Sequence, residues 1–514
     1  MILVTMDGHR HVYPVSDILH PFYGTVLDLG DGLLQAGEGP CAARVSSRTS
    51  AVESGRVLVR TRLSAYADPD VPDGSAGCDT EREWSETVPG SDVKREVKRQ
   101  MYGILSEWTG IRFPWGSLTG IRPTLIARES LVLSGGGLAA AALRMETMYG
   151  VDPGKASLAV ETAKREDAVQ QTVSPESVCV YVGIPFCPSR CSYCSFTLPE
   201  CAVRMDLAES YVDALVHEAK DVFAAIHPPV ACVYFGGGTP TSLAAPVFER
   251  MIAGVLDALP LQPGCEITVE AGRPDTLTAE KLLAMRNHGV GRICVNPQTM
   301  HDVTLRRIGR LHTAGQVAES VDLVRNAGIP VLNMDLIAGL PGESTEDFAH
   351  SLRTVLAWHP ENVTVHALSM KKKSRLTDHM RREGRESAGV GQLRLPDAGV
   401  AAMMDDAYRT LSGSGMYPYY LYRQKDAVGG LENVGYAAPG TECRYNVSMM
   451  GDRRSVIGLG SGAMSKKIDG TRVERIPTVR EIGQYIDRAG ETASRIIDRF
   501  SGPADADSAG GNPL

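Results

Sequence analysis

Residues 184–196 read "IPFCPSRCSYCSF", with three cysteines at 187, 191 and 194 in one short segment behind a proline. Free cysteine is among the most buried residue types, so a reduced, buried trio is the first reading to weigh. The neighbouring residues oppose it. Pro185, Pro188, Ser189, Arg190 and Ser192 are loop formers, and one surface loop does not bury three side chains together. Thiolates at this spacing suit a metal centre better. A zinc site wants a fourth ligand, and no partner CxxC pair occurs elsewhere in the chain. An iron–sulfur cubane is usually held by four thiolates, and C-x3-C-x2-C closes three of its corners. The fourth iron is then open to a small molecule, which gives the absent fourth cysteine a purpose.

Outward from this segment the chain has a clear rhythm. Short apolar, β-branched runs recur as "VCVYVGIPF" (178–186), "ACVYFGGG" (231–238), "CEITVEAG" (265–272), "RICVNPQ" (292–298), "PVLNMDLIAG" (330–339) and "NVTVHALS" (362–369). Segments of helical period lie between them, at 208–226, 248–259, 279–289 and 346–359. Strands that alternate with helices and read as near-continuous apolar runs predict a parallel sheet with helices outside. Six such units fall short of a closed eight-stranded barrel and predict an α/β fold, a partial (β/α)6 TIM-like barrel.

The flanks differ in texture. Residues 1–170 carry a hairpin-like run ("RVLVRTRLSAY", 56–66), a Gly/Asp/Pro-rich stretch (68–80) and an amphipathic helix near 93–109, and are expected to form a separate α+β domain. The barrel is expected over 171–390, a C-terminal α+β extension covering the substrate over 391–500, and a disordered tail over 501–514.

The 514 residues, 43% hydrophobic and 22% charged, describe an ordinary globular chain of two or three domains. A formal net charge of −8 argues against a nucleic-acid partner. The start, "MILVTMDGHRHVYP", lacks the n-region and h-region of a signal peptide. No apolar run reaches the roughly 20 residues that cross a bilayer. The 11 cysteines form an odd set without a disulfide framework. A cytoplasmic monomer with reduced thiols is expected.

Polar residues mark the C-terminal ends of the strands, where β/α barrels build active sites. "GGGTPT" (236–241) follows strand two, and its glycines let the backbone come close to a ligand. Glu270 ends strand three, Gln298 ends strand four, and Asp335 lies within the apolar strand five. A carboxylate in such a strand is costly without a partner, so Asp335 is read as functional. "MKKKSR" (370–375) follows strand six. Charge runs are usually solvated, but in a net-acidic chain these cations at the barrel rim suit an anionic substrate.

These motifs together resemble the radical S-adenosylmethionine (AdoMet) superfamily. "YVGIPFCPSRCSYCSF", "FGGGTPTSL", "ITVEAGRPD", "VNPQTMHDVTLRRIGRLHT", "NMDLIAGLPGE" and "IGLGSGAMS" resemble the oxygen-independent coproporphyrinogen III oxidases in particular. "LTGIRPT" (118–124), "VHALSMKKKSRL" (365–376) and the stretch 419–446 point within that family to the longer HemZ-type coproporphyrinogen dehydrogenases. The resemblance spans about Cys179 to Ser465 and is thinner before it.

It implies that Cys187, Cys191 and Cys194 hold a 4Fe-4S cluster whose open iron binds AdoMet. It places Tyr181, Tyr193, Gly237, Gly238, Thr239, Glu270, Gln298, Arg310 and Asp335 at AdoMet-binding positions, with Ser369 and Met464 completing the pocket, and gives Tyr181, Glu270 and Asp335 catalytic roles. The implied reaction is oxidative decarboxylation of two propionates of coproporphyrinogen III to vinyl groups, giving protoporphyrinogen IX through a 5′-deoxyadenosyl radical. It draws on a flavodoxin- or ferredoxin-like electron donor and a separate electron acceptor. Lys371, Lys372, Lys373 and Arg375 would then meet the substrate carboxylates.

One position departs from the family. Its well-characterised oxidases carry a further cysteine two residues after the third ligand, where this chain has Phe196, as the related heme chaperones do; Cys201 is a nearby thiol. Two alternatives therefore stay open: a heme chaperone, and a radical enzyme acting on another tetrapyrrole. The chaperones carry a His-Asn-x-x-Tyr-Trp motif whose histidine is a natural iron ligand. The corresponding "CRYNVSMM" (443–450) has Tyr445 in its place, and the last histidine of the chain is His379.

Overall fold

The computed structural model describes residues 1–65, 80–120, 122–194, 204–369, 397–424, 427–470 and 472–502. The expected substrate cations Lys371, Lys372, Lys373 and Arg375, with Phe196, Cys201 and His379, lie outside the described residues, as do 503–514. The chain folds as two compact units. Met1–Val160 belong to the first, and the described residues from Glu161 onward, apart from Gly429–Leu431, belong to the second.

The first unit contains β1 (Ile2–Asp7), α1 (Val12–Tyr23), β2 (Val26–Gly30), β3 (Leu33–Ala36), β4 (Ala43–Ala51), β5 (Arg56–Ala65), β6 (Thr80–Pro89), α2 (Val93–Thr109), α3 (Pro123–Leu133) and α4 (Leu138–Tyr149). Its six strands run in the order β2-β3-β1-β4-β5-β6. Alternation along β4 and β5 turns Val45, Val59 and Leu63 onto one face, where Val97, Met101 and Leu105 of α2 pack against them. Among the described residues no single helix is long and apolar enough to cross a membrane; the sharply bent pair α3 and α4 passes that test only jointly.

The chain passes to the second unit within α5 (Pro153–Gln171). Each of the six apolar runs then forms a strand: β7 (Val178–Ile184), β8 (Val230–Gly237), β9 (Leu261–Glu270), β10 (Arg292–Cys294), β11 (Val331–Ala338) and β12 (Asn362–Ala367). They pair in parallel and in sequence order. The connections carry α6 (Ala208–Ala225), α7 (Ala245–Ala258), α8 (Ala279–Asn287), α9 (Asp302–Arg307), α10 (Ala314–Ala327) and α11 (Thr345–Leu356). Helix α10 is absent from the segments picked out by apolar period. Its signal was a capping box, Thr313 with Gln316, and the structure forms both of that box's hydrogen bonds.

The C-terminal part, α12 (Asp397–Gly413), β13 (Tyr417–Arg423), β14 (Glu432–Ala437), α13 (Arg444–Gly451), β15 (Val456–Leu459), β16 (Met464–Asp469), β17 (Arg472–Pro477) and α14 (Ile482–Ser501), completes the unit. It extends the same sheet at both edges. β14 pairs antiparallel with β12, and β15 adds a seventh parallel strand beside β7. The sheet thus has 11 strands. The extra parallel strand was not legible, because four residues of "VIGL" carry no period of their own.

Strand four also ends earlier than expected. β10 stops at Cys294, and Gln298 meets β11 as an isolated bridge to Leu336. Pro297 has no N–H to continue a ladder, which interrupts the strand before Gln298.

Candidate active site

Alternation along the strands decides what faces the barrel interior. The register sets Tyr181 beside Tyr234 and, at the preceding inward level, Cys179 beside Cys232. The interior is closed behind the tyrosines by α13. Tyr445 stacks on Tyr234 at 4.5 Å and 24° and on Tyr181 at 5.9 Å and 19°. Helix α13 is held at both ends. The Arg444 N–H donates to Glu266 Oε1 (3.0 Å), and Lys466 Nζ donates to the Ser448 and Met449 carbonyls (3.3 and 2.9 Å) and to Asp452. The cation lies on the carbonyl end of the helix, where its dipole favours it.

The other end of the interior carries the cysteine loop. Four neighbours fix its backbone. Gly238 N–H donates to Ile184 O (2.7 Å), Thr239 N–H to Phe186 O (2.7 Å), and Ser192 N–H to Ile308 O (2.9 Å). Arg273 Nη2 donates to both the Ser189 carbonyl and its hydroxyl, each at 2.7 Å. A Cβ at Gly238 would lie 2.4 Å from Phe186 O and 2.7 Å from Ile184 O. The glycines of this motif are expected to let the backbone approach a ligand; at Gly238 the close approach is made by the loop's own backbone.

Between the two ends lies a cavity of about 360 Å³. Cys187, Cys191 and Cys194 share its wall with Tyr181, Tyr193, Gly237, Gly238, Glu270, Gln298, Arg310, Asp335 and Ser369. Of the expected site residues, Thr239 is buried just behind, its hydroxyl 3.5 Å from Cys187 Sγ. Met464 does not belong to the wall. It begins β16, 36% exposed, because the chain turns back at Gly460–Gly462 and carries it off the strand end. Met450 of α13 lines the cavity instead.

Several lining residues escaped the sequence reading. Tyr234, Arg273, His366, Tyr420 and Tyr422 all contribute. Period two gave a signal for Tyr234, which alternates inward with Gly236 as Tyr181 does with Gly183. The tyrosines of β13 gave none, since that strand comes back to the sheet from far along the chain.

The carboxylates sit in a connected network. Tyr234 O–H donates to Glu270 Oε1 (2.6 Å), and Asn333 Nδ2 donates to Asp335 Oδ1 (2.8 Å). His366 Nε2 lies 3.6 Å from Asp335 Oδ2, and its Nδ1 is 3.2 Å from Asn433 Oδ1. Burial pushes the Glu270 carboxyl up to about 7; the Tyr234 bond draws it down and Asp335 raises it further. Gln298 has a positive φ of 71°. Its N–H donates to Asp335 O (2.9 Å) and its carbonyl accepts from Ile337 N–H (3.0 Å), which hold a conformation rarely adopted by a side-chain-bearing residue.

Arginines oppose the carboxylates. Arg310 Nη1 donates to Gly272 O (3.0 Å) and Asn296 O (2.5 Å), and the guanidinium stands beside Cys191 and Tyr193. Burial, with Arg310 and Arg273 nearby, drives His312 down to about 3, so it is neutral and supplies no competing cation. Arg310 Nε, Arg273 Nη1, Asn296 Oδ1 and Ser369 Oγ are buried without a hydrogen-bond partner among the described residues.

The donor set bears on the choice of metal group. Among the described residues no three His, Cys, Asp or Glu side chains converge in the manner of a single-ion site. Three thiols spread along one wall suit a cubane, which offers each thiolate its own iron. The orphaned amide, hydroxyl and guanidinium atoms suit a ligand bearing a carboxylate and hydroxyl groups.

Comparison with known proteins agrees. The radical SAM superfamily profile matches residues 181–355. The oxygen-independent coproporphyrinogen-III oxidase-like protein HemZ of Bacillus subtilis (strain 168) is 38% identical over 389 residues, 73% of this chain and 74% of that protein. The heme chaperone HemW of the same organism is 29% identical over 314 residues, 60% of this chain and 76% of that one. A solved structure of coproporphyrinogen III oxidase (HemN) from Escherichia coli aligns with a TM-score of 0.49 at 22% identity, covering 65% of this chain and 73% of its own. The chain is thus a radical SAM protein, of the class that takes a 4Fe-4S cluster and S-adenosylmethionine. Within that superfamily it belongs to the oxygen-independent coproporphyrinogen-III oxidase-like family, on the HemZ branch.

Proposed function

We propose that the protein decarboxylates two propionates of coproporphyrinogen III to vinyl groups without oxygen, giving protoporphyrinogen IX. Cys187, Cys191 and Cys194 hold the cluster. Tyr181, Tyr193, Gly237, Glu270, Gln298, Arg310, Asp335 and Ser369 bind AdoMet, with Thr239 behind Cys187. When bound, the cluster and AdoMet supply the one-electron chemistry that removes hydrogen from an unactivated carbon. The residues of the chain then have three tasks. Arg310 and the carboxylates orient AdoMet, the tyrosine-backed interior excludes water, and Lys371–Lys373 with Arg375, following directly from cavity-lining Ser369, receive the substrate carboxylates.

The observation that carries the enzymatic reading over the chaperone is the position of Tyr445. It occupies the place of the chaperone histidine, yet its ring is buried between Tyr181 and Tyr234, 6% exposed, where it seals the barrel. A heme iron has no access to it, and tyrosine is in any case a rare axial ligand. A porphyrinogen holds no iron and needs none.

The test is anaerobic incubation of reconstituted protein with AdoMet, dithionite and coproporphyrinogen III. The expected product has lost a carbon dioxide and two hydrogens at each of two propionates. Stoichiometric heme capture with no decarboxylated product would overturn this reading in favour of the chaperone.

A further inference from the structure

Arg273 lies three residues past Glu270, on the loop that leaves β9. Its backbone is locked. Thr276 donates to its carbonyl through both N–H (3.0 Å) and hydroxyl (2.8 Å), and Pro274 follows it, favouring its extended φ/ψ of −127° and 103°. The side chain is 2% exposed. One end, Nη2, grips both oxygens of Ser189, midway between Cys187 and Cys191. The other, Nη1, is buried without a hydrogen-bond partner among the described residues, and Arg273 lines the same cavity as the three thiols.

The charge on this side chain is unexplained by the protein. Among the described residues no carboxylate comes within ion-pair distance of Arg273. A buried guanidinium without an anion is expensive, because its desolvation is not compensated. The loop it grips is the one that supplies thiolates. A cubane held by three thiolates is an anion, and one-electron reduction adds a further negative charge. Such potentials respond to nearby charge and to hydrogen bonds on the sulfurs.

We propose that Arg273 is a positioning and tuning residue for the cluster: it pins the thiolate loop through Ser189 and lends its free N–H and positive charge to the cluster, making it easier to reduce. No bond is made or broken in the step concerned. One electron passes from a low-potential donor to the cluster, and the guanidinium favours the more negative product. The inference rests on the reading that Cys187, Cys191 and Cys194 hold a cluster.

The experiment is a redox titration of reconstituted full-length protein, followed by electron paramagnetic resonance without AdoMet, on wild type, Arg273→Gln and Arg273→Lys. Glutamine keeps a polar amide but carries no charge; lysine keeps the charge and loses the fork. Arg273→Gln should retain its iron and become harder to reduce, its reduced-to-oxidised ratio at fixed potential falling about tenfold, a shift of about 59 mV. Arg273→Lys should stay near wild type. A fully loaded Arg273→Gln protein at the wild-type potential overturns the inference. If Arg273→Gln fails to assemble a cluster, Arg273→Lys decides: a wild-type potential supports the proposal and a lowered one overturns it. Wild type that assembles no cubane refutes the underlying reading instead, so the two failures are distinct.

Discussion

Gln298 allows fold and function to be pulled in opposite directions. Its φ of 71° places it in the left-handed region, where a non-glycine residue costs of order 1–2 kcal/mol. What holds it there is backbone: its N–H to Asp335 O and the Ile337 N–H to its own carbonyl, at 2.9 and 3.0 Å. Its side-chain amide makes no hydrogen bond to the protein among the described residues, and it faces the cavity. Gln298→Gly keeps both backbone bonds and relieves the strain, while the greater chain entropy of glycine returns roughly 0.5–1 kcal/mol of the gain. The net effect on stability is between zero and about 1.5 kcal/mol in favour of the variant, a rise in Tm of at most about 3–6 °C. If the amide binds AdoMet, its loss removes a hydrogen bond of about 0.5–1.5 kcal/mol, a two- to tenfold weakening. The assays are thermal melting and AdoMet titration calorimetry on anaerobically reconstituted protein. A variant that melts several degrees lower would show that the side chain serves the fold. Unchanged affinity would show that the strain is not held for the ligand.

Other outcomes follow from the same geometry. Alanine at Cys187, Cys191 or Cys194 should abolish the brown cluster, whereas Cys443→Ala, whose thiol contacts Glu266, should keep its iron; full iron in Cys191→Ala would refute the ligand assignment. Asp335→Ala should retain iron and lose reductive AdoMet cleavage, and cleavage at the native rate would exclude the role given to it. Glu218 is buried, accepts from Tyr485 O–H and Gly460 N–H, and is pushed up to about 7 by burial against an ordinary 4.5. A raised folded-state value gives stability that is complete below about pH 4.5 and is lost as pH rises through about 7, up to about 3 kcal/mol in all. Glu218→Gln should therefore narrow the Tm difference between pH 5 and pH 8, and an unaltered difference would contradict the assignment.

The sequence carried the barrel well because β/α units declare themselves locally: a run of apolar β-branched residues, a polar residue or glycine at its end, then a helical period. Each of the six runs needed nothing from the rest of the chain to be recognised. The parts that stayed hidden are those set by long-range pairing. β15 is four residues long and becomes a strand only because β7 has an open edge for it. Tyr420 and Tyr422 reach the cavity because β13 and β14 double back onto β12, a placement no local pattern encodes. Gln298 was found as a polar mark but attached to the wrong element, since Pro297 ends the ladder that apolar composition suggested would continue.

The same distinction explains Arg273. Within "EAGRPD" only Glu270 stands out locally, as a polar residue at a strand end. The arginine has no meaning until the cysteine loop, 84 residues earlier, is folded against it and its Nη2 meets Ser189. The barrel interior places two carboxylates, Glu270 and Asp335, on one side and the guanidiniums of Arg273 and Arg310 on the thiol side. Glu270 relieves its own burial by moving its titration up to about 7. An arginine has no such escape, because it does not lose its proton in a protein. The positive charge therefore stays on the thiol wall, which is the reason an anion is proposed to sit there.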